Sequence, residues 1–203
     1  MIEIHHLKFQ YQSRWIFKNA GTPNEITLPW LITGDNGSGK STLLRILAGL
    51  LTPQDGTIMY RGIPLKEYIQ QYGLSAMFHE LFLTPSLTVR KHIQLHADFF
   101  EQNMDPTDYA RKFNLNTQID TTVAELSRGQ KQKLAFALTL IPPHRLLILD
   151  EPFANMDSSS IQCCIHALKD YGKSFIATSH QTLPFKDLHP ITCKIFNGIF
   201  IWP

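Results

Sequence analysis

The residues of this chain that could do chemistry begin at Gly34. The octet Gly34-Asp35-Asn36-Gly37-Ser38-Gly39-Lys40-Ser41 fits the spacing GxxxxGK[ST], with an apolar run before it and a helix-like pattern after it. Glycines let the backbone curl until several N–H groups point into one concavity. That concavity lies at the start of a helix, where unsatisfied N–H groups and the macrodipole favour an anion. Lys40 adds a cation that can reach the β- and γ-phosphates of a nucleotide, and Ser41 offers a hydroxyl to Mg²⁺. The competing reading is a Gly-rich turn that matches this pattern by accident, and a strand before it and a helix after it make such a match rarer still.

A second group lies far along the chain. Leu146-Leu147-Ile148-Leu149-Asp150-Glu151 is an apolar run ending in two acids. The run suits a strand buried on both faces of a parallel sheet, and ligands of open α/β sheets sit beyond the carboxyl ends of the strands. Asp150 is therefore placed to hold the Mg²⁺ shell. Adjacent strand residues face opposite ways, so Glu151 is expected to have a different role, that of the general base that orients and polarises an attacking water. The competing reading is that one acid only caps the next segment.

These groups need elements to position them. Ile2, Ile4, Leu7, Phe9 and Tyr11 roughly alternate, which predicts an opening strand. Leu28 to Thr33 is a second apolar run; Leu43, Leu44, Ile46, Leu47 and Leu50 form one face of a helix over 40–50. Residues 52–56 read as a turn, and 79–125 as helix-rich. An amphipathic helix over 128–140 is stopped by Pro142-Pro143, and 174–178 is another strand. Alternating strands and helices predict an α/β fold with a largely parallel sheet. A chain of 203 residues suits one domain. It divides into a core of 1–78 and 135–203, opening with a β subdomain, and an inserted helical subdomain of 79–134.

The bulk properties exclude other classes. A net charge of +2 without a clustered basic face gives no case for nucleic acid as a partner. No apolar run approaches the ~20 residues that span a bilayer, and the start lacks a secretory plan. Cys163, Cys164 and Cys193 form no CxxC pair and are expected to be reduced, buried thiols. His92 and His96 lie four apart, but Ile93 stands where a zinc protease has its glutamate, so they are expected on a solvated or partner-facing surface. Lys131 and Lys133 are expected on the exposed face of their helix.

Leu126-Ser127-Arg128-Gly129-Gln130 lies between the two groups and opens a helix. Alone it reads as an N-cap, with Gln130 three residues after Ser127. Between the other motifs it resembles the signature of the ATP-binding cassette family, LSGGQ with variation at the third position. The resemblance covers Ile2 to about Ile201. It implies a P-loop NTPase fold with a mostly parallel core sheet, an N-terminal antiparallel β subdomain and an inserted helical subdomain. It implies ATP and Mg²⁺, with Gly34, Asn36, Gly37, Ser38, Gly39, Lys40, Ser41 and Thr42 on the nucleotide. In that family the signature of one subunit closes over ATP held by the other, so Ser127, Gly129 and Gln130 are expected to act across a dimer. His180 stands where the family has a switch histidine at the γ-phosphate, and Asn155-Met156-Asp157 resembles the loop that crosses the interface. Tyr11 is where an aromatic ring stacks on adenine, with Phe9 and Trp15 as competitors. His79 stands where the family has a glutamine that contacts Mg²⁺. A ring nitrogen is a poorer magnesium ligand than an amide oxygen, so His79 is expected to keep a coupling role and weaken the metal contact.

The family reading implies an ATPase subunit of a membrane transporter, a homodimer by the simpler expectation. It would sit in the cytoplasm, held to the inner face of the membrane by integral membrane subunits. Those would dock around Phe78, His79, Leu81, Phe82 and Leu83. In length and layout the chain resembles short exporter-type subunits such as haem-exporter ATPases. The alternative is a soluble cassette without a transport role, such as an iron–sulfur assembly ATPase. Glu151→Gln is expected to keep ATP binding and nearly abolish turnover in a phosphate-release assay; near-normal turnover would remove Glu151 from its role.

Overall fold

The computed structural model of the chain describes residues 1–78, 82–172 and 174–202. β1 (Ile2–Tyr11) buries Ile2 and Ile4 and then Leu7 and Phe9. The phase slips between them because His6 takes a φ of 52°; the register with β4 (Asp55–Tyr60) shifts across it, and that with β2 (Arg14–Ala20) shifts just beyond it, after Leu7. Such a bulge bends a strand and re-aims its side chains. The first half of β1 thus pairs with β4, and the second half pairs with β2. Gly56 crosses the bulge with a φ of 103°, where a Cβ would lie 2.7 Å from the His5 carbonyl oxygen. With β5 (Ile63–Pro64) these strands form an antiparallel sheet of order β2-β1-β4-β5.

The second sheet contains β3 (Trp30–Gly34), β6 (Ser75–Met77), β7 (Leu146–Asp150), β8 (Ser174–Thr178), β9 (Ile191–Phe196) and β10 (Ile199–Ile201). Its order is β10-β9-β3-β8-β7-β6, parallel except for β10 at the edge. Every residue of β7 is buried, as its apolar run requires. Alternate residues feed two cores. Leu146 and Ile148 pack with Trp30, Ile32 and the Leu43, Leu44 and Leu47 face of α1 (Lys40–Leu47) and the antiparallel sheet. Leu147 and Leu149 pack on the other side with α5 (Arg128–Leu140) and α6 (Ser158–Tyr171). Helix α1 stops three residues short of the sequence pattern: Gly49 turns left-handed and Leu50 is exposed.

Residues 65–72 form α2 (Leu65–Tyr72), while the helix-rich stretch supplies α3 (Val89–Phe99) and α4 (Pro106–Arg111). Val89, Ile93, Tyr109 and Phe113 share a core with Leu134, Phe136 and Leu149, so this part is fused to the sheet through α5. The capping boxes at Thr122 and Ser127 set the entry to that helix.

Expectations of burial and exposure are corrected at His92, Lys133, Cys163 and Phe78. His92 is 4% exposed. Its Nε2 accepts from the Thr84 N–H at 3.0 Å, and its Nδ1 bonds the Thr88 carbonyl at 3.1 Å. Both ring nitrogens are thereby used in closing the loop before α3. Lys133 is also buried: its Nζ donates to the Ser160 hydroxyl and the Asn114 carbonyl, because α5 is covered on that side by α6. Cys163 is half-buried, while Cys164 and Cys193 are buried. Of the residues expected to receive membrane subunits, Phe82 is 89% exposed and Phe78 is buried. His79 and Leu81 lie outside the described residues. Among the described residues no helix is long and apolar enough to cross a membrane.

Burial lowers the pKa of His92 below its ordinary 6.5, helped by neighbouring His96, against the raising effect of the Thr88 carbonyl bond. The unfolded chain therefore takes up this proton first. The stabilisation is complete above pH 6.5 and is lost as pH falls through the lowered folded value. Unfolding free energies from denaturant titrations at pH 8 to 5 are expected to fall less steeply in His92→Gln than in the wild type, by at most about 1.4 kcal/mol per pH unit. Equal slopes would contradict a neutral buried ring.

Candidate nucleotide-binding and hydrolysis site

β3 lies between β8 and β9, and its last residue opens the phosphate loop. Gly34 has a φ of 145° and passes so close to β9 that a Cβ would lie 2.6 Å from the Ile195 carbonyl oxygen. Ser38 packs its hydroxyl over Gly34, and its N–H donates to the Asp35 carbonyl at 3.1 Å, which closes the turn. Gly39, the N-cap of α1, has a φ of 108° and no side-chain cap, and the first turn contains no acid. The N-terminal N–H groups of α1 thus keep their full anion-binding capacity. Lys40 is 7% exposed, and its Nζ donates to the carbonyls of Gly34 at 2.9 Å and Asp35 at 3.1 Å. The ammonium is folded over its own loop, held by neutral acceptors that a phosphate oxygen would outcompete.

Asp150 ends β7 and is 2% exposed. The parallel register sets Thr178 of β8 beside it, and the Thr178 hydroxyl donates to Asp150 Oδ1 at 2.6 Å. The same hydroxyl accepts the Glu151 N–H at 3.0 Å. The two acids do diverge, but not by the strand alternation expected from the sequence. Glu151 lies beyond the strand with a φ of 48°, and this left-handed turn redirects its side chain. Its Oε1 lies 3.4 Å from His180 Nε2, and its Oε2 lies 3.4 Å from the His180 N–H. Oε1 is shielded from solvent and has no hydrogen-bond partner among the described residues.

A cleft of about 720 Å³ joins these groups. Of the residues singled out in the sequence, Tyr11, Asn36, Gly37, Gly39, Lys40, Ser41, Thr42, Asp150, Glu151 and His180 border it. Tyr11 is 43% exposed with its ring edge against buried Phe9; Trp15 borders a neighbouring cavity instead. Ser127, Gly129, Gln130 and Asp157 do not border the cleft. Ser127 and Gln130 exchange hydrogen bonds in the capping box, with Gln130 Oε1 accepting the Ser127 N–H at 2.8 Å. Asp157 caps α6 by accepting the Ser160 N–H at 2.8 Å. The Ser159 hydroxyl first, and then that N–H, pull its carboxyl down to about 2.

Sequence reasoning missed four residues. Arg14 and Arg128 bring cations to the cleft wall. Thr178 joins both acids, and buried Gln132 bonds the Glu151 carbonyl. Two of them had a readable signal: Arg14 follows Tyr11 closely, and Arg128 lies inside the signature. Thr178 and Gln132 had none, since their partners are remote in sequence.

A family model described as ABC transporter matches residues 28–154. The chain belongs to that family. Its relatives include two proteins each named cytochrome c biogenesis ATP-binding export protein CcmA. That of Nitrosococcus oceani is 30% identical over 90% of this chain and 87% of its own length. That of Idiomarina loihiensis is 33% identical over 87% and 84%. A dimeric ATP-binding cassette in a post-hydrolysis state, bound to ADP and Pi, superposes with a TM-score of 0.81 at 19% identity, covering 98% of this chain and 96% of that one. At that identity the likeness is one of fold. The cassette is thus an ATP-binding, ATP-hydrolysing subunit of a transporter, and the relatives support this reading over the soluble alternative.

Removing the Thr178 hydroxyl leaves a buried Asp150 oxygen without its donor and the Glu151 N–H without its acceptor. Thr178→Val is expected to lower unfolding free energy by about 2 kcal/mol, read by denaturant titration. It should also lower steady-state ATPase activity by about tenfold, the equivalent of 1.4 kcal/mol in the barrier.

Proposed function

We propose that two copies of the cassette enclose two Mg-ATP molecules, each held by the phosphate loop of one chain and closed by the signature of the other. One observation carries this reading. Ser127 stands exposed at the positive end of α5, yet neither it nor Gly129 borders the cleft of its own chain. A second anion-binding surface of this kind is used only if another chain brings it a phosphate.

The donor chemistry suits magnesium. Ser41 and Asp150 both border the cleft and offer hard oxygens, and Mg²⁺ takes few protein ligands when phosphates and water complete its shell. When bound, the ion supplies charge neutralisation on the phosphate oxygens. The chain's own residues do the rest. Lys40 leaves the Gly34 and Asp35 carbonyls for the β- and γ-phosphates. Glu151, whose carboxylate lies 3.4 Å from His180 Nε2, orients the attacking water and takes its proton. His180, beside that carboxylate, meets the γ-phosphate, and Tyr11 offers its exposed ring to adenine. Asp157 holds the interface loop in shape. His79 keeps a coupling role at the start of the helical subdomain (79–134), which is inserted in the core (1–78 and 135–203).

The membrane subunits dock beside the exposed Phe82, where a cavity of about 430 Å³ is lined by Leu83, Phe100, Leu138 and other apolar groups. The names of the relatives support an export step in cytochrome c biogenesis as the transport role. The cassette would then lie in the cytoplasm, on the inner face of the membrane.

Size-exclusion chromatography of the Glu151→Gln protein is expected to give a dimer with ATP and magnesium, and a monomer when either is withheld or EDTA is added. A monomer throughout would count against the paired sites. Capture of the tagged protein from detergent-solubilised cells is expected to recover a polytopic membrane protein in stoichiometric amount. Recovery of soluble partners alone would sink the docking assignment.

A further inference from the structure

Helix α5 turns one face, Gly129, Gln132, Lys133 and Phe136, toward the segment from Glu151 to Ser160. These positions are spaced i, i+3, i+4 and i+7, the spacing of a single helical stripe. Gly129 leaves no room for a side chain, because a Cβ would lie 2.5 Å from the Asn155 carbonyl oxygen. Gln132 is 3% exposed, and its Nε2 donates to the Glu151 carbonyl at 3.0 Å and to the Pro152 carbonyl at 3.4 Å. Lys133 Nζ donates to Ser160 Oγ at 3.1 Å. The Phe136 ring centroid lies 5.8 Å from that of Phe153. The helix that opens with the signature is thus fastened along the whole turn that follows β7.

The Gln132 contact falls where that turn is most constrained. Glu151 is a non-glycine residue at positive φ, and such a conformation persists only where its surroundings over-determine it. Its N–H is held by Thr178 Oγ1. Its carbonyl accepts the Ala154 N–H at 3.1 Å within the turn, and Gln132 is the side chain that ties it to another element. Rotation or shift of α5 must therefore move the Glu151 peptide or break this bond. A buried amide donor facing two carbonyls costs too much to leave unpaired.

We propose that Gln132 is a positioning residue for Glu151, through which the seating of the signature helix sets the carboxylate of the same chain. This rests on the reading in which Ser127 binds ATP across the dimer and Glu151 is the base. In such a dimer, phosphate capture by Ser127 at one site adjusts Glu151 at the other, and Gln132 is the mechanical link between the two.

Two variants test this. Gln132→Met keeps length and burial but removes the donor. Gln132→Glu keeps the shape and becomes a donor only when protonated. The readouts are kcat, KM and the Kd of a fluorescent ATP analogue, measured from pH 8 to 6 beside the wild type. The Met variant is expected to lose about tenfold or more in kcat, with Kd within about twofold of the wild type. The Glu variant is expected to lose as much at pH 8 and, relative to the wild type, to recover part of it toward pH 6. The inference is overturned if the Met variant keeps kcat within twofold, if Kd worsens in step with kcat, or if the Glu variant shows no relative recovery. Should the Met variant fail to fold, the pH recovery of the Glu variant decides alone. Glu151→Gln measured in parallel separates the two layers. If it turns over normally, the base assignment fails and Gln132 has nothing to position. If it is inactive while Gln132→Met is normal, only the link through Gln132 fails.

Discussion

The positive end of α1 carries no acid to neutralise it and no side chain to cap it. In most helices that end is satisfied locally, by an Asp, Ser or Thr at the N-cap. Here glycine occupies the N-cap, and the nearest cation, Lys40, spends its hydrogen bonds on neutral carbonyls of the loop. The loop that frames these donors is braced by its neighbours. Gly34 is pressed against β9, Ser38 folds over Gly34, and Gly39 lies against Ile16 and Phe17 of β2. The order of both sheets serves that bracing. β3 must have β9 on one side, and the antiparallel sheet must lie over the loop, for the concavity to stay open toward phosphate.

The acids are organised by a different constraint. A nearly fully buried carboxylate such as Asp150 must keep a hydrogen-bond donor, and Thr178 supplies it. That donor comes from the neighbouring strand at the same level, which makes the position of Asp150 a property of strand register. Glu151 leaves the strand in a left-handed turn, so one acid is fixed on Thr178 while the next faces His180. The sheet stops where its chemistry begins.

The helical part is not a loose insertion. Tyr109 donates its hydroxyl to the Ala137 carbonyl at 2.7 Å, and the rings of Phe113, Phe136, Phe153 and Phe185 form a continuous series from the helices to the last part of the chain. Burial raises the Tyr109 phenol well above its usual range. α5 belongs by packing to both the helices and the sheet. It carries the signature at one end and touches the turn after β7 along its side.

The sequence by itself determined the local patterns from which the chemistry was read. Gly34 to Ser41 and the capping box of Ser127 and Gln130 are local patterns whose physics is complete within a few residues, so they were legible without a fold. The same holds for β7, whose unbroken apolar run permits only a strand covered on both faces. What tertiary structure alone decided are the contacts between remote elements. His92 and Lys133 look like surface residues in a helical pattern, but a loop and α6 cover them. Thr178 and Gln132 are ordinary polar residues until β8 and α5 bring them to the acids. The phase slip in β1 and the turn at Glu151 depend on backbone angles that no residue type demands. Hydrogen bonding of buried polar groups is a condition on pairs, and the partner of each is known only when the chain has folded.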